Sequence, residues 1–338
     1  MRQVWISRTG PPEVLKLRES RDPNPSAGQI RIRVRAAGVN FADLMARVGL
    51  YPDAPKIPCV VGYEVSGVVD AIGDGVTSFA IGDRVFALTN YGGYTDTLVV
   101  DSHRAFRMPT SMSFEDGAAF PVASLTAHHM MLYSGELRAN SSVLIHSAAG
   151  GVGLAAVQLA KTRSCRIFGI ASKSKHAFLR EQGCQYPIDT DTDYVRKIRE
   201  LTGGRGVDLI LDPRGGKSWT EAYELLALGG RLVAFGCSAV ISGKRRNLLH
   251  AVKQLGRVQR WSPMQLLNDN KSIQGVSMGP VIKDFRSVPE QFAALIAMYE
   301  QGQIKPHIDR TFAFREAALA HHCLHDRSTK GKVLLIPE

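Results

Sequence analysis

The chain has 338 residues, 44% of them apolar and 22% charged, with 32 glycines and 16 prolines; this leaves room for two domains with separate cores and excludes disordered and fibrous classes. No apolar run reaches the roughly 18 residues that cross a bilayer, and Met1-Arg2-Gln3-Val4-Trp5 leads into polar residues instead of a signal-peptide core. The net charge of +11 exceeds what solubility needs and points to anionic partners, while five scattered cysteines (Cys59, Cys165, Cys184, Cys237, Cys323) without a C-x-x-C pair indicate a reduced, cytoplasmic chain lacking disulfides.

Residues 1–124 carry short β-branched runs at Gln29–Ala36, Val65–Ile72, Asp83–Ala87 and Thr97–Val100, separated by glycine and proline. Strands this short, with turn signals between them, predict a compact and largely β domain. From Leu125 the texture changes to alternating helices and strands, the strands expected at Ser142–His146, Arg166–Ile170, Val207–Asp212, Gly230–Phe235 and Ser272–Ser277. That alternation implies an α/β unit over residues 125–278, a doubly wound parallel sheet with helices on both faces. After Gly279 comes one amphipathic helix near Pro289–Gln301, with Phe292, Leu295, Ile296 and Tyr299 on one face, then a final strand at Lys332–Ile336. This material is too sparse to fold alone, so residues 279–338 are expected to return to the first domain.

The stretch Ser141–Ala160 reads as strand, tight turn and helix. Its turn, Ala148-x-Gly150-x-x-Gly153, fits the dinucleotide fingerprint G-x-G-x-x-G with alanine in place of the first glycine. Gly150 lets backbone approach a pyrophosphate, Gly153 lets helix pack on strand, and the free N–H groups of the helix start face the phosphate charge. Ala149, Gly150, Gly151, Val152 and Gly153 are therefore candidate cofactor contacts. The second strand distinguishes the cofactors: a carboxylate about 20 residues on favours NAD, whereas here Ser172-Lys173-Ser174-Lys175 follows. A hydroxyl and two ammonium groups suit a 2′-phosphate, so Ser172, Lys173 and Lys175 point to NADPH.

From Leu225 to Asn268 there is no Asp or Glu, yet seven cations fall there, among them Lys244, Arg245, Arg246 and Lys253. Leu248, Leu249, Val252, Leu255 and Val258 line one side of a helical pattern. Three readings stand for it: a solvated helix packing at the domain edge, a clamp on the phosphates of a CoA thioester, or peripheral contact with anionic lipid. No nucleic-acid module accompanies the charge, so nucleic acid is not an expected partner.

Landmarks in order identify a family. They are Ala36-Ala37-Gly38-Val39-Asn40-Phe41-Ala42-Asp43, Pro58-x-x-x-Gly62-Tyr63-Glu64-x-x-Gly67-x-Val69, Gly82-Asp83-Arg84-Val85, Leu125-Thr126-Ala127, Ala149-Gly150-Gly151-Val152-Gly153, Asp212-x-x-Gly215-Gly216 and Gly229-Gly230-Arg231. Over nearly its whole length the chain resembles the zinc-independent, zeta-crystallin-like quinone oxidoreductases of the medium-chain dehydrogenase/reductase superfamily. Ser242-Gly243-Lys244-Arg245-Arg246-Asn247-Leu248, Gln265-Leu266-Leu267 and Ile304-Lys305-Pro306-His307-Ile308-Asp309 resemble its vesicle amine transport protein branch.

The resemblance implies a GroES-like, largely β catalytic domain (1–124 and 279–338), a Rossmann domain (125–278) and a homodimer. In the zinc alcohol dehydrogenases of the superfamily a cysteine stands at the place of Asn40 and a histidine at that of Tyr63; amide and phenol are poor zinc donors, so no metal is expected. Hydride would then go to a carbon already electrophilic, in a quinone, enone or enoyl-CoA thioester, with fixed donors stabilising the distant oxygen. Asn40 is the first candidate for such a donor, Tyr51 the second, and Asp43 holds Asn40 or its helix in place. Thr126 and Lys332 are expected near the nicotinamide amide, and Asp212 and Gly236 complete the candidate cofactor contacts. A catalytically weak cofactor binder acting through its basic surface is the rival reading.

Overall fold

The structure, a computed structural model, describes residues 1–338. In chain order the first part contains β1 (Arg2–Ile6), β2 (Leu15–Glu19), β3 (Gln29–Val39), α1 (Phe41–Val48), β4 (Cys59–Val60), β5 (Glu64–Ile72), β6 (Arg84–Leu88), β7 (Thr97–Asp101), β8 (Ala105–Arg107), α2 (Phe114–Ala119) and α3 (Pro121–His128). Strict alternation makes β3 the spine: Ile30, Ile32 and Val34 are buried, while Arg31 and Arg33 on the other face meet Asp70 of β5 at 2.8 and 2.9 Å. Strand β2 is missing from the sequence expectation because it buries only Leu15, leaving no alternation to detect, and β1 because its alternation spans only Val4 and Ile6.

The middle part runs β9 (Ser142–His146), α4 (Gly151–Thr162), β10 (Arg166–Ala171), α5 (His176–Glu181), β11 (Tyr186–Asp189), α6 (Tyr194–Leu201), β12 (Val207–Asp212), α7 (Lys217–Glu224), β13 (Leu226–Ala234), α8 (Leu248–Leu255), α9 (Pro263–Asp269) and β14 (Ser272–Gly275). Its six strands form one parallel sheet in the order β11-β10-β9-β12-β13-β14. The order reverses between β9 and β12, which opens a crevice beyond the C-terminal end of β9, where the glycine-rich turn stands. Three strands differ from expectation: β14 ends at Gly275, two residues early, β13 starts four residues early, and β11 is not expected at all. β13 begins at Leu226 because Gly229, at φ 75°, lets the strand bulge instead of ending it. β11 contains Pro187, which a sheet accepts at its edge, the place β11 takes.

The chain closes with α10 (Met278–Asp284), α11 (Val288–Glu300), β15 (Ile308–Ala313), α12 (Ala317–His325) and β16 (Lys332–Ile336). β16 pairs antiparallel with β3 and parallel with β15, so the end of the chain completes the sheet β15-β16-β3-β5-β6-β8, with β7 also on β3. β1, β2 and β4 form a smaller antiparallel sheet. Helix α11 joins the halves: Phe292 packs on Phe106 and Phe86 at ring distances of 4.5 and 5.2 Å and shares a core with Leu125, Leu154 and Val233. No helix is long and apolar enough to cross a membrane.

Within the cationic stretch the apolar spacing forms α8, which carries Lys253 alone of the seven cations and is not seated on an apolar face. Leu249 is 87% and Val252 68% exposed, Leu248 and Leu255 face solvent beside them, Val258 lies beyond the helix, and Ala251 is the one buried residue.

Candidate active site

Asn40 stands where β3 stops and α1 starts, at φ −121° and ψ 155°, the ordinary backbone of a helix N-cap. An N-cap asparagine normally turns its side chain back on its own helix; this one does not. Its Nδ2 donates to Glu64 Oε1 at 2.8 Å and its Oδ1 accepts from Lys332 Nζ at 2.8 Å. The capping contact comes from Asp43, whose carboxylate accepts the Asn40 N–H at 2.8 Å, the Gly62 N–H at 3.0 Å and the Tyr94 hydroxyl at 3.0 Å. Complete burial disfavours the charge and pushes Asp43 up to about 7 against those donors. Asp43 thus fixes backbone, and Asn40 keeps its amide for the cleft, where it is partly exposed.

Glu64 opens β5 and is fully buried. Its Oε1 accepts from Lys332 Nζ at 2.6 Å as well as from Asn40, and its Oε2 accepts the Val122 N–H at 2.7 Å at the start of α3. The space it occupies exists because residue 38 is glycine: a Cβ there would lie within 2.5 Å of Ala118 O and against the Glu64 carboxylate. Lys332 donates its remaining hydrogen to Val39 O at 3.1 Å. All three ammonium hydrogens are therefore used inside the protein. The expected contact of Lys332 with the nicotinamide amide is corrected accordingly: the group holds Asn40 and Glu64 instead.

The donor set does not fit zinc. No group of three His, Cys, Asp or Glu side chains converges anywhere in the structure, and the cation beside Glu64 is an ammonium.

The nucleotide loop fits a dinucleotide. The left-handed residue of its turn is Ser147, at φ 54°, not position 148, so alanine stands without strain where the fingerprint has its first glycine. The first i→i−4 bond of α4 runs from Leu154 N–H to Gly150 O at 2.8 Å, and no side chain caps the turn before it. Those N–H groups form the anion-facing end of a twelve-residue helix. A Cβ on Gly153 would lie 2.6 Å from Ala148 O, and one on Gly151 would lie 2.7 Å from Lys332 Cδ. Ala149 accepts the Gly331 N–H at 2.7 Å, and Val152 packs on the core. Thr126 donates its hydroxyl to Val122 O at 2.6 Å, leaving its lone pairs to accept from an amide.

At the end of β10, Lys173 is exposed and Ser172 partly so. Lys175 is tied down: its Nζ donates to Arg327 O and Thr329 O, each at 2.7 Å, and burial together with the Lys330 and Arg327 charges holds its pKa below the usual lysine range. Sequence reasoning missed Arg327 and Lys330 because they approach from a loop more than 150 positions away. It also gave Glu64 no role; the available signal was a carboxylate opening a strand whose first five residues are otherwise uncharged and buried nearly throughout. Asp212, at the end of β12, is completely buried, accepts the Arg214 N–H at 2.6 Å and the Ser218 hydroxyl, and faces His146, so its carboxylate is engaged inside the protein. Gly236 follows β13, where a Cβ would lie 3.1 Å from Pro213 O. Tyr51 is partly exposed and edge-on to Tyr63 at 6.3 Å; burial raises its pKa, so it is a neutral donor.

Fold and site together define an oxidoreductase that uses a nicotinamide cofactor. Residues 26–110 match the alcohol dehydrogenase GroES-like domain family and residues 182–335 the zinc-binding dehydrogenase family. The chain is 40% identical to the human synaptic vesicle membrane protein VAT-1 homolog, over 96% of this chain and 82% of that protein. It is 32% identical to rat quinone oxidoreductase, over 99% and 98%. Among solved structures, Escherichia coli quinone oxidoreductase complexed with NADPH superposes with a TM-score of 0.88 at 28% identity, covering both chains completely. The chain belongs to the quinone oxidoreductase family of the medium-chain dehydrogenase/reductase superfamily, together with the VAT-1 homologs.

Proposed function

We propose that this protein reduces a conjugated carbonyl compound (a quinone, an enone or an enoyl thioester) with NADPH and without zinc. One observation carries the reading. Gly331 is bonded to the nucleotide loop through Ala149, and the next residue, Lys332, holds Asn40, so the anion-binding helix end and the partly exposed amide are sides of one site.

When bound, NADPH supplies the hydride. The Asn40 Nδ2–H and the Tyr51 hydroxyl are donors for the oxygen that gains charge, and Thr126 accepts from the carboxamide. A proton from solvent completes the reduction, giving the saturated carbonyl from an enone or the hydroquinone from a quinone. Lys173, Lys330 and Arg327 support a 2′-phosphate over a free 2′-hydroxyl. We assign residues 1–124 and 279–338 to the catalytic domain and 125–278 to the cofactor domain. The unpaired edge of β14 supports a homodimer formed sheet to sheet, and five free cysteines support a reducing, cytoplasmic setting.

Steady-state NADPH oxidation with quinones, enones and enoyl-CoA esters, with NADH in parallel, tests this reading. Saturable turnover with NADPH preferred is expected; no turnover with any of the three classes overturns it.

The exposed apolar face of α8 favours a second reading, a weak enzyme that works at anionic membranes. Leu249 and Val252 would enter the headgroup boundary, flanked by Lys253, Arg257 and Arg260. An open groove of about 920 Å³, lined by Lys244, Arg245, Arg246 and His325, lies beside it and suits phosphate groups of lipid or CoA alike. Salt-sensitive cosedimentation with phosphatidylserine vesicles, in the absence of turnover, would favour this reading.

A further inference from the structure

The geometry points to a positioning device in which Lys332 and Glu64 together fix which end of the Asn40 amide faces the substrate; we infer that this pair makes Asn40 an obligatory hydrogen-bond donor and couples it to the nucleotide loop. The inference deepens the proposed hydride transfer and rests on it for its kinetic consequences alone.

An asparagine amide is nearly symmetric in shape, and in a neutral pocket it can present either oxygen or NH₂ to a ligand. Here its two neighbours forbid the choice. Lys332 Nζ can only donate, so the atom facing it at 2.8 Å must be Oδ1. Glu64 accepts on both oxygens, Oε1 from Lys332 at 2.6 Å and Oε2 from the Val122 N–H at 2.7 Å, so the atom facing Oε1 at 2.8 Å must be Nδ2. One amide hydrogen goes to Glu64 and the second is left for the cleft. A flip would set oxygen against carboxylate and NH₂ against ammonium, two like-to-like contacts at hydrogen-bond distance.

The lock reaches the nucleotide loop through packing. Lys332 is 5% exposed, and its stem runs over Gly151, where a Cβ would lie 2.7 Å from Cδ. Its predecessor Gly331 bonds Ala149, and its own N–H bonds His307 O at 2.8 Å. A shift of the first turn of α4 therefore moves the ammonium that orients Asn40. Lys332 and Glu64 are positioning residues; the group that touches the substrate is Asn40.

The test compares wild type with the double variant Lys332→Met/Glu64→Gln, which removes both charges and leaves no buried ion alone. Side-chain amide exchange of ¹⁵N-asparagine-labelled protein is read by NMR, with Asn40→Asp to assign the signal. In wild type the Asn40 Nδ2 hydrogen bonded to Glu64 exchanges about tenfold or more slowly than those of exposed asparagines, and the double variant loses that protection. With NADPH and the best conjugated carbonyl, the double variant falls in kcat by about 30-fold or more, while KM and NADPH affinity stay within about threefold. Asn40→Asp, which keeps the shape but sets an acceptor against Glu64 and offers no donor to the cleft, falls in kcat at least as far. Absence of protection in wild type, or kcat unchanged in the double variant or in Asn40→Asp, overturns the inference. Protection that is present in wild type and lost in the double variant, with no turnover of any conjugated carbonyl by wild type, overturns the proposed reaction and supports the orientation lock.

Discussion

Asp43 ordinarily titrates near 4 in an unfolded chain and near 7 in this fold, because burial outweighs three hydrogen bonds. The native state therefore holds a proton that the unfolded state has released between those values. Its contribution to stability is complete below pH about 4 and is lost as the pH rises through about 7. His321, buried beside Tyr94, works the other way: burial and the Arg47 charge keep it neutral, so its contribution is lost as the pH falls through the ordinary histidine range. Asp43→Asn isolates the first effect. The variant should melt lower than wild type, because an amide NH₂ meets a backbone donor, and the gap should narrow from pH 5 to pH 8; a gap that widens contradicts the raised pKa. Arg47 gives a second prediction at this scale. Its guanidinium is completely buried without a hydrogen-bond partner, so Arg47→Met should leave the melting temperature unchanged or raise it, since an unpaired buried charge costs several kcal/mol. A drop of several degrees would mean that the guanidinium holds something. Asn40 and Asp43 were legible in the sequence from a motif of eight residues. The work of Lys332 was not, because its acceptor Glu64 lies 268 positions away and only the closed sheet brings them together.

Helix α4 shows how much of an element local pattern can disclose. An apolar strand, small residues and helical spacing were enough to place it and its anion-facing end. The site of the left-handed residue was hidden, since Ser147 takes that conformation while the motif directs attention to position 148. Packing partners were hidden too. Gly151 reads as one more loop glycine, yet the Lys332 stem lies where its Cβ would be. Gly151→Ala should accordingly lower kcat about tenfold with a smaller loss of NADPH affinity, as displacement of the ammonium releases Asn40; loss of NADPH binding with kcat intact would assign the glycine to the cofactor alone. Helix α8 marks the limit of pattern in the other direction. Its spacing predicts an apolar face, but spacing cannot say whether that face meets protein or solvent, and here it meets solvent.

At the scale of the whole molecule, the change from short β runs to alternating helices and strands separated two sheets correctly, because each sheet type leaves its own period in the chain. The return of the C-terminal segment was expected from its poverty in apolar residues, and β16 does lie against β3. What pattern could not reach is that this return builds the site: β16 carries Lys332 to Asn40 and sets the loop of Arg327 and Lys330 beside the end of β10. Replacement of Lys330 by Glu should weaken NADPH binding by about tenfold or more and leave NADH nearly unaffected, which titration of the two cofactors would read; equal losses would remove the loop from the phosphate site. Hydride transfer itself is read by a single-turnover reaction with NADPH deuterated at the transferring carbon of its nicotinamide. Mass spectrometry of the product of an enone is predicted to find one deuterium on the carbon β to the carbonyl, lost with the turnover in Asn40→Ala. Bound NADPH with no deuterium delivered to any enone, quinone or enoyl thioester would mean that the protein transfers no hydride to a conjugated carbonyl.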